Sequence, residues 1–481
     1  MHATDASMAA CVLAVDLGGS GLRVALVGRD GAILGLHSAP HPPHITAEGA
    51  AEAEPEAWWH GVLEGADSLR AEAPAAFARI GAIAVTAFTR SLVLVDGSGQ
   101  VLRPALLWQD RRADSVLPRL RAAIPADHPE AAQLNAFHPL ARLAWLAEVE
   151  PAILARAVAV LEPKDELNRR LTGRISSDRI SSARLAAAAA LLPGLGLPAT
   201  LLPLLLAPGA VMGRVQAGLP GALAGLAGVP VLAMAHDTWA AVLGLGALRP
   251  GHAYAISGTT EVLGLLHTEA AMAEGLMTVD WDGLWQIGGP SQHGADALAW
   301  LREMGLAATD PSPGDPIPLL FLPSLEGERV PHWDPARRGA FLGLRRGHGA
   351  AEMTRAVMQG IAFNARTVLA RAEAAAGREA VELRLGGGGA LPGWAQLRAD
   401  VLGRRVVLTE ATEPGLLGCA IAGFAALEGQ GLTALQDQLC RPRATFLPDS
   451  ARHAMATRLH ALFRAAEDQV VPISHALAGF A

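Results

Sequence analysis

The sequence is poor in cysteine. Its 481 residues include three cysteines, Cys11, Cys419 and Cys440, which are far apart and lack the spacing of metal ligands. An odd number of isolated cysteines argues against a disulfide framework or a zinc site, and it is typical of a reducing compartment. We therefore expect a cytoplasmic protein without structural disulfides.

Basic charge is also sparse. Lysine occurs once, at Lys164, among 39 lysines and arginines, and the formal net charge is -7. The sequence contains no basic run, which argues against a nucleic-acid partner. Recognition of anionic groups must therefore depend on arginine, whose planar guanidinium suits contacts with two oxygens.

A long uninterrupted apolar run is missing as well. Residues 185–211 carry no charge, but Pro193, Pro198, Pro203 and Pro208 divide them into short pieces. No piece is long enough to cross a bilayer as one helix. The first ten residues lack the basic start of a signal peptide. We expect short buried helices and turns here, and no membrane role.

The remaining composition indicates a large folded protein. Hydrophobic residues make up 51% of the chain and charged residues 18%, which excludes a disordered protein. A chain of 481 residues is too long for one ordinary core. We predict two domains, over residues 11–248 and 249–475.

A glycine-rich turn with an acid opens the first domain. An apolar strand over 11–15 ends at Asp16-Leu17-Gly18-Gly19-Ser20-Gly21, and strands follow at 22–27 and 32–37. Such glycines let the backbone approach an oxyanion, and Asp16 could bind a metal directly or through water. The turn is not a Walker loop, and a strand follows it where a dinucleotide site needs a helix. A plain hairpin with an incidental Asp is the alternative.

A second acid follows a predicted strand in the middle of the chain. The apolar segment 229–234 leads directly into Ala235-His236-Asp237-Thr238. An acid at a strand end can take a proton from a substrate hydroxyl. An Asp before Thr is also typical of a helix N-cap, so both roles of Asp237 remain open.

Two small-residue loops follow strands of the second domain. The predicted strands at 253–257, 261–266 and 284–287 repeat the opening pattern of strand, loop and strand, with Ser257-Gly258-Thr259-Thr260 as the first loop. A predicted strand at 381–385 leads into four glycines, 386–389, before a helix at 394–402. Backbone N–H groups and hydroxyls in such loops can surround a phosphate or a nucleotide. For the four glycines, a flexible loop is the alternative.

One further segment suits a polyol. Residues 104–107 lead into Trp108-Gln109-Asp110-Arg111-Arg112. A flat apolar ring beside hydrogen-bond donors and acceptors is a plausible sugar-binding edge. A surface Asp–Arg pair next to a packed Trp is the alternative.

Taken in chain order, these motifs resemble those of the FGGY carbohydrate kinases. The resemblance spans residues 12–431 and includes a second-domain signature from Leu322-Pro323 to Arg338-Gly339-Ala340-Phe341. It implies an α/β fold of two ribonuclease-H-like domains, as in actin-like ATPases, with an interdomain cleft where ATP meets a small-molecule sugar.

The resemblance also assigns roles to individual residues. It implies that Asp237 is the general base and that Asp16 is a catalytic acid near Mg²⁺. It implies that ATP is bound by two phosphate loops and an adenosine loop, which contain Gly18, Gly19, Ser20, Gly258, Thr259, Thr260, Gly387 and Gly388. The expected sugar contacts are Thr89, Arg90, Trp108, Asp110, Asp237 and Thr238.

Several positions depart from the family pattern and bear on the substrate. Gly19 stands where many members carry Thr, and Thr238 replaces the Asn of the xylulokinase branch. Phe88-Thr89-Arg90-Ser91 stands where that branch has Gln-Met-His-Gly, so a His contact becomes Arg90. The segments Pro163-Lys164-Asp165 and Leu171-Thr172-Gly173 do resemble those of pentulose kinases.

The leading substrate is therefore a ketopentose such as D-xylulose, with gluconate, ribulose or another polyol or sugar acid as the alternative. Arg90 leaves this choice open, because it adds five donors and a positive charge that suit either a sugar acid or more hydroxyls. An actin-like ATP-binding module without sugar kinase activity is the rival class. A homodimer is an open possibility.

Overall fold

The computed structural model describes residues 11–19, 21–306 and 314–480. Its strands are, in chain order, β1 (Cys11–Leu17), β2 (Gly21–Gly28), β3 (Ile33–Pro40), β4 (His44–Ile45), β5 (Ala51–Ala53), β6 (Ile80–Ala87), β7 (Val93–Val95), β8 (Ala105–Leu106), β9 (Ala159–Leu161), β10 (Ser176–Asp178), β11 (Leu204–Leu206), β12 (Val211–Arg214), β13 (Pro230–Leu232), β14 (His252–Ser257), β15 (Glu261–His267), β16 (Met277–Asp280), β17 (Trp285–Pro290), β18 (Leu320–Leu322), β19 (Ala340–Leu342), β20 (Glu382–Gly386), β21 (Val406–Thr409) and β22 (Pro442–Phe446).

The helices alternate with these strands. In chain order they are α1 (Pro55–Glu72), α2 (Pro74–Phe77), α3 (Leu117–Ala123), α4 (Pro139–Val149), α5 (Pro151–Arg156), α6 (Pro163–Thr172), α7 (Ala183–Ala187), α8 (Asp237–Gly244), α9 (Asp296–Glu303), α10 (Ala350–Ala376), α11 (Pro392–Leu402), α12 (Pro414–Glu428), α13 (Leu432–Leu439) and α14 (Ser450–Ala478).

The described chain forms two compact units. Unit 1 runs to Gly244 and also contains Gly415–Leu439, whereas unit 2 consists of Leu245–Pro414 and the chain from Cys440 onward. The sequence placed the boundary at 248/249 and assigned 415–439 to the second domain, and both details differ from the structure. The chain therefore returns to unit 1 before it completes unit 2.

Small residues explain why α12 belongs to unit 1. A Cβ on Gly418 would lie 1.9 Å from the Ala240 carbonyl oxygen, and one on Gly423 would lie 2.5 Å from Val12. Cys419 Sγ lies 3.9 Å from the carbonyl oxygen of Val15. The helix can approach the sheet this closely because these positions carry little or no side chain.

The unit 1 sheet has the strand order β12-β13-β6-β1-β2-β3. The strands β1, β2 and β3 form an antiparallel meander, and β1 pairs in parallel with β6, which pairs in parallel with β13. Leu13 and Val15 share a buried cluster with Trp58 and Ala66 of α1, whereas Val12 contacts α12. This alternation along β1 places a helix on each face of the sheet.

The unit 2 sheet repeats the same plan. Its order is β16-β17-β15-β14-β20-β21-β22, with β14 antiparallel to β15 and parallel to β20. As in unit 1, three antiparallel strands are followed by two parallel ones, here β20 and β21. The predicted repeat of the opening pattern is confirmed, with β16 added at the edge beyond the predicted meander.

Most predicted elements are confirmed within a few residues. The strands predicted at 22–27 and 32–37 correspond to β2 and β3, and the helix predicted at 394–402 begins two residues earlier as α11. The apolar stretch 185–211 forms short helical turns and a strand, interrupted as its prolines require. Across the described residues, none of the helices combines the length and hydrophobicity needed to cross a bilayer. All three cysteines are buried, and none of them forms a disulfide.

Candidate active site

Three chemically distinctive segments lie at one edge of the unit 1 sheet. The strands β1, β6 and β13 are parallel, so their carboxyl ends share an edge. Asp16 is near the end of β1, Thr89 and Arg90 follow β6, and Asp237 follows β13. Thr86 Oγ1 donates to the Ala235 carbonyl oxygen at 2.8 Å, which ties the end of β6 to the segment before Asp237. The topology therefore gathers residues that are far apart in sequence.

The first residue of α8 is Asp237, but the side chain that caps this helix is that of His236. His236 Nδ1 accepts from Trp239 N at 3.3 Å, and its carbonyl accepts from Ala240 N at 3.1 Å. These are the contacts of an N-cap residue. The cap role that the sequence left open for Asp237 is thus taken by its neighbour.

The Asp237 carboxylate uses only one of its oxygens locally. Oδ1 accepts from Thr238 N at 2.6 Å and from Thr238 Oγ1 at 3.2 Å. Oδ2 has no hydrogen-bond partner among the described residues. One oxygen is thus held by the start of α8, while the other can accept a further hydrogen.

The pKa of Asp237 is raised from its ordinary value to about 6, chiefly because burial disfavours the charged form. The side chain is nevertheless 41% exposed. Protein atoms therefore lie close enough to the carboxyl to raise its pKa, while water still reaches the side chain. A carboxyl with a pKa near neutrality suits proton abstraction at physiological pH.

The other predicted acid, Asp16, lies within the N-terminal hairpin. Its side chain is 16% exposed, with Arg23 Nη1 3.9 Å from Oδ2. The position of a Cβ on Gly415, at the start of α12, would be 3.0 Å from the same oxygen. The carboxylate therefore lies against a helix N-terminus, whose dipole favours negative charge.

The predicted first phosphate loop is the turn of this hairpin. Gly18 N donates to the Gly21 carbonyl oxygen at 2.9 Å and so closes the turn. Gly19 is exposed, and a Cβ there would meet nothing within 4 Å. Ser20 lies outside the described residues. The turn is thus a hairpin, as the alternative interpretation states, and Asp16 lies near the end of its first strand. Phosphate binding by this turn remains a prediction.

The segment after β6 has an unusual backbone. Arg90 has a φ of 62°, a left-handed conformation that costs a non-glycine residue about 1–2 kcal/mol. The Glu162 carboxylate accepts from Thr89 Oγ1, Arg90 N and Ser91 N, each at 3.3 Å. Arg142, which is 1% exposed, donates from Nη1 to the Arg90 carbonyl oxygen.

The charge of Arg90 reaches the segment before the predicted base. The pKa of His236 is lowered to about 4, chiefly by burial; Asp178 opposes this shift, and the positive charges of Arg90 and Lys164 add to it. His236 is therefore neutral at pH 7. Arg90 consequently lies close enough to His236 for their electrostatic interaction to matter.

The predicted sugar-binding edge is divided between an exposed and a buried residue. Trp108 is 36% exposed, so its ring is accessible to a ligand. Asp110 is 1% exposed, accepts from Ala51 N at 3.0 Å, and pairs with Arg112 Nη2 at 2.7 Å. Asp110 therefore braces this segment, and a direct contact with substrate remains a prediction. Thr238, beside Asp237, is partly exposed.

Sequence reasoning missed a buried ionic cluster in the same unit. Lys164 Nζ lies 2.6 Å from Asp165 Oδ1 and 2.7 Å from Asp178 Oδ2, and all three are essentially inaccessible. Asp178 Oδ1 also accepts from Ile180 N and Ser181 N. The one lysine of the chain, in Pro163-Lys164-Asp165, could have indicated this cluster. Its second partner, Asp178, lies 14 residues away on β10.

In unit 2, the two predicted loops lie side by side. The strands β14 and β20 are parallel neighbours with Ile256 opposite Gly386, so the loops that follow them meet. Gly389 N donates to the Ser257 carbonyl oxygen at 3.1 Å, and Gly258 N donates to that of Thr260 at 2.9 Å. The exposed backbone of Gly258, Thr259, Gly387 and Gly388 is thus grouped at one sheet edge.

Two glycines of unit 2 explain this close approach. Gly387 has a φ of +76°, and a Cβ there would lie 2.5 Å from the Ser257 carbonyl oxygen. A Cβ on Gly294 would lie 2.4 Å from the Gly258 carbonyl oxygen, which accepts from Asp296 N at the start of α9. The loops are therefore set by backbone contacts that larger residues would disrupt.

A buried ion pair supports the first of these loops, and it was also missed. Glu261 follows Thr260 directly, and Arg398 Nη1 on α11 donates to its Oε1 at 3.0 Å, with a second bond from Nη2 to Oε2. The Arg398 guanidinium lies 4.8 Å from the centre of the Trp394 ring. The pairing joins residues 137 positions apart, which no local pattern indicates.

Two α/β units, each with three antiparallel and two parallel strands in this order, define an actin-like ATPase fold. Family comparison assigns residues 11–244 to the N-terminal domain of the FGGY family of carbohydrate kinases and 253–427 to its C-terminal domain. The chain therefore belongs to the FGGY family, and it is a carbohydrate kinase. ATP is the phosphoryl donor of this family.

Individual relatives match over nearly their whole length. Xylulose kinase from Escherichia coli (strain K12) is 27% identical over 495 residues, which cover 96% of this chain and 99% of that protein. Glycerol kinase from Thermus brockianus is 30% identical over 476 residues, which cover 91% and 94%.

Solved structures agree on the fold. A xyloylose kinase from Brucella ovis has a TM-score of 0.86 at 27% identity, covering 96% of this chain and 100% of that one. Gluconate kinase from Lactobacillus acidophilus has a TM-score of 0.85 at 21% identity, covering 98% and 99%. At that identity the second similarity concerns the fold alone.

Proposed function

We propose that this carbohydrate kinase transfers the γ-phosphoryl group of ATP to a hydroxyl of a ketopentose, with D-xylulose as the leading candidate. The observation that carries the proposal is Asp237, the first residue of α8 after β13, with Oδ2 open and a pKa of about 6. The xylulose kinase and xyloylose kinase relatives, which match nearly the whole chain, support the substrate class.

Asp237 acts as the general base in this proposal. Its Oδ2 accepts the proton of the attacking hydroxyl as the bond to the γ-phosphorus forms, and ADP leaves. A positioned base contributes about 10²–10⁴-fold to the rate. The rest of catalysis is positioning and neutralisation of phosphate charge, because phosphoryl transfer requires little covalent help from the protein.

The nucleotide is assigned to the loops after β14 and β20. Gly258, Thr259 and Thr260 offer backbone and hydroxyl groups to the phosphates, and Gly387 and Gly388 lie where adenosine would approach. The close packing of these loops supports this assignment, since each is formed by backbone contacts that larger side chains would block. Gly18 and Gly19 complete the proposed phosphate contacts.

Magnesium is proposed as the second cofactor, with Asp16 as its protein ligand. Among the described residues, no three His, Cys, Asp or Glu side chains are grouped to hold a metal. The site still fits Mg²⁺, because this ion usually takes one or two protein carboxylates and completes its shell with phosphate oxygens and water. When bound, the ion would neutralise charge on the transferred phosphate.

The sugar is assigned to Thr89, Arg90, Trp108 and Thr238 around Asp237. The exposed Trp108 ring suits the apolar face of a sugar, and Arg90 supplies hydrogen-bond donors. The charge of Arg90 near His236 is the observation that favours the second candidate, a sugar acid such as gluconate. Arg90 would then pair with the substrate carboxylate.

A screen of acceptors tests this proposal. ADP release would be measured with D-xylulose, D-ribulose, gluconate, glycerol and erythritol, each with Mg-ATP and each with Asp237→Asn as the matched control. We expect the highest kcat/KM for a ketopentose, and preference for gluconate would select the second candidate. ATP hydrolysis that no acceptor stimulates would refute the kinase proposal and favour an actin-like ATPase module.

A further inference from the structure

The segment Thr89–Ser91 is held from both sides by buried polar side chains. Arg90 N and Ser91 N donate to different oxygens of Glu162, and the Arg90 carbonyl accepts from Arg142. Glu162 is 9% exposed and Arg142 is 1% exposed. Both polar groups of the Arg90 backbone are thus bound by side chains from elsewhere in unit 1.

These contacts explain how Arg90 keeps its left-handed backbone. A φ of 62° is unfavourable for arginine and persists only where the surroundings enforce it. The flanking residues are anchored separately, by Phe88 N to the Leu17 carbonyl oxygen at 3.0 Å and by Leu92 N to that of Leu106 at 2.8 Å. Glu162 and Arg142 hold the residues between those anchors.

We propose that Glu162 and Arg142 are positioning residues that hold Arg90 where it selects the sugar. The inference rests on the proposed function and adds two residues that need not touch the substrate. Their clamp on the Thr89–Ser91 backbone fixes the direction in which the long Arg90 side chain leaves the turn. Loss of the clamp frees Arg90 to adopt other directions, which weakens sugar binding without moving Asp237.

The geometry suggests Glu162→Gln as the test. Both oxygens of a carboxyl group keep lone pairs whether or not it is protonated, whereas the amide nitrogen of glutamine cannot accept a hydrogen bond. The variant therefore loses an acceptor for Arg90 N or for Ser91 N at nearly unchanged volume. Glu166→Gln is the matched control, because Glu166 is buried on α6, the helix that follows Glu162, but pairs with Arg169 and Arg170.

The experiment is a double-mutant cycle with Arg90→Ala, using the best acceptor from the screen. We expect Glu162→Gln to raise the sugar KM roughly tenfold, the fold-change that corresponds to one ordinary hydrogen bond. The KM for ATP should stay unchanged, and Glu166→Gln should leave both constants unchanged. In the Arg90→Ala background, Glu162→Gln should have no further effect on the sugar KM.

An equal rise in both backgrounds would overturn the proposal, because Glu162 would then act independently of the Arg90 side chain. An unchanged KM in the folded variant would overturn it as well. If Glu162→Gln fails to fold, Arg142→Lys replaces it in the same cycle, with the same outcomes expected.

Amide hydrogen exchange separates this inference from the proposed function. Glu162→Gln should increase exchange at Arg90 and Ser91, and Glu166→Gln should not. If no acceptor is phosphorylated, the proposed function fails, and selection of a sugar by Arg90 fails with it. The exchange result then still decides whether Glu162 holds the turn, and unchanged exchange would refute the clamp itself.

Discussion

The two units have the same strand plan but present different chemistry at the same edge. In unit 1 the carboxyl ends of the parallel strands carry charged side chains, Asp16, Arg90 and Asp237. In unit 2 the loops Ser257–Thr260 and Gly386–Gly389 contain only small and hydroxyl residues. The shared plan decides where loops gather, and the residues in the loops decide what they can bind.

This difference supports the proposal that unit 1 carries the chemical step and unit 2 binds the nucleotide. In the proposed function, the charged side chains of unit 1 act on the reacting hydroxyl, and the bare backbone of the unit 2 loops binds the nucleotide, whose phosphates and base need close approach. The comparison predicts that substitutions at the unit 1 edge change chemistry at preserved stability. At the unit 2 edge, substitutions should instead change the backbone on which nucleotide binding depends.

The largest effect is expected for Asp237→Asn, which should lower kcat by about 10²–10⁴-fold because the proton acceptor is lost. The fold should survive, since the asparagine oxygen can still accept from Thr238 N. Steady-state kinetics would be measured together with nucleotide binding and the melting temperature. A nearly normal kcat would remove Asp237 from the mechanism, and it would contradict the assignment of the chemical step to unit 1.

A smaller effect is expected for Asp16→Ala, with kcat/KM for Mg-ATP falling by at least about 10- to 100-fold, the loss that follows removal of even an outer-shell partner of a metal ligand. Raising the Mg²⁺ concentration should restore part of the loss. Asp30→Ala, in the next turn of the same meander, serves as the control. Normal Mg²⁺ dependence in Asp16→Ala would contradict a metal-binding role for Asp16, and the turn at Gly18–Gly21 would then be a plain hairpin.

In unit 2 the informative change is Gly387→Ala. Its φ of +76° and the contact of 2.5 Å to the Ser257 carbonyl oxygen make any side chain unfavourable. We expect a loss of about 1–3 kcal/mol in the free energy of unfolding and a higher KM for ATP. Gly388→Ala is the stability control, because its Cβ would make an ordinary contact at 3.7 Å with Ala295. Equal melting temperatures for the two variants would contradict this reading of the loop.

The smallest effect near neutral pH is expected for the pH dependence of kcat/KM, on the acidic side of the profile. Asp237 must be deprotonated to act as a base, and its raised pKa of about 6 places the loss of activity at a higher pH than for an ordinary Asp. The kcat/KM for the sugar should fall about tenfold per unit below pH 6. Residual activity of Asp237→Asn should not show this fall. A wild-type profile that stays flat down to about pH 5 would contradict the raised pKa.

Sequence patterns predicted most elements because those patterns are local. A continuous apolar run marks β1, and the glycine turns mark the strand ends at Asp16 and at Gly386. Patterns failed where the relevant partner is distant. The assignment of α12 to unit 1 depends on glycines that meet Val12 and Ala240, and no periodicity within the helix records that contact.

The site shows the same division. Asp237 could be identified from the sequence, but its choice between cap and base could not. The structure shows that Asp237 is not the helix cap, because His236 caps α8 and Asp237 Oδ2 stays open. The turn at Arg90 likewise depends on Glu162, more than 70 residues away.

The sequence by itself determined which residue types stand at the strand ends, because strand periodicity and turn chemistry are set by neighbours within a few positions. Only the tertiary structure decided which of those ends meet, which carboxyl oxygen remains open, and how Arg90 keeps a strained backbone. Those outcomes depend on parallel strand pairing and on buried hydrogen bonds between distant residues, whose geometry exists only once the sheets have formed.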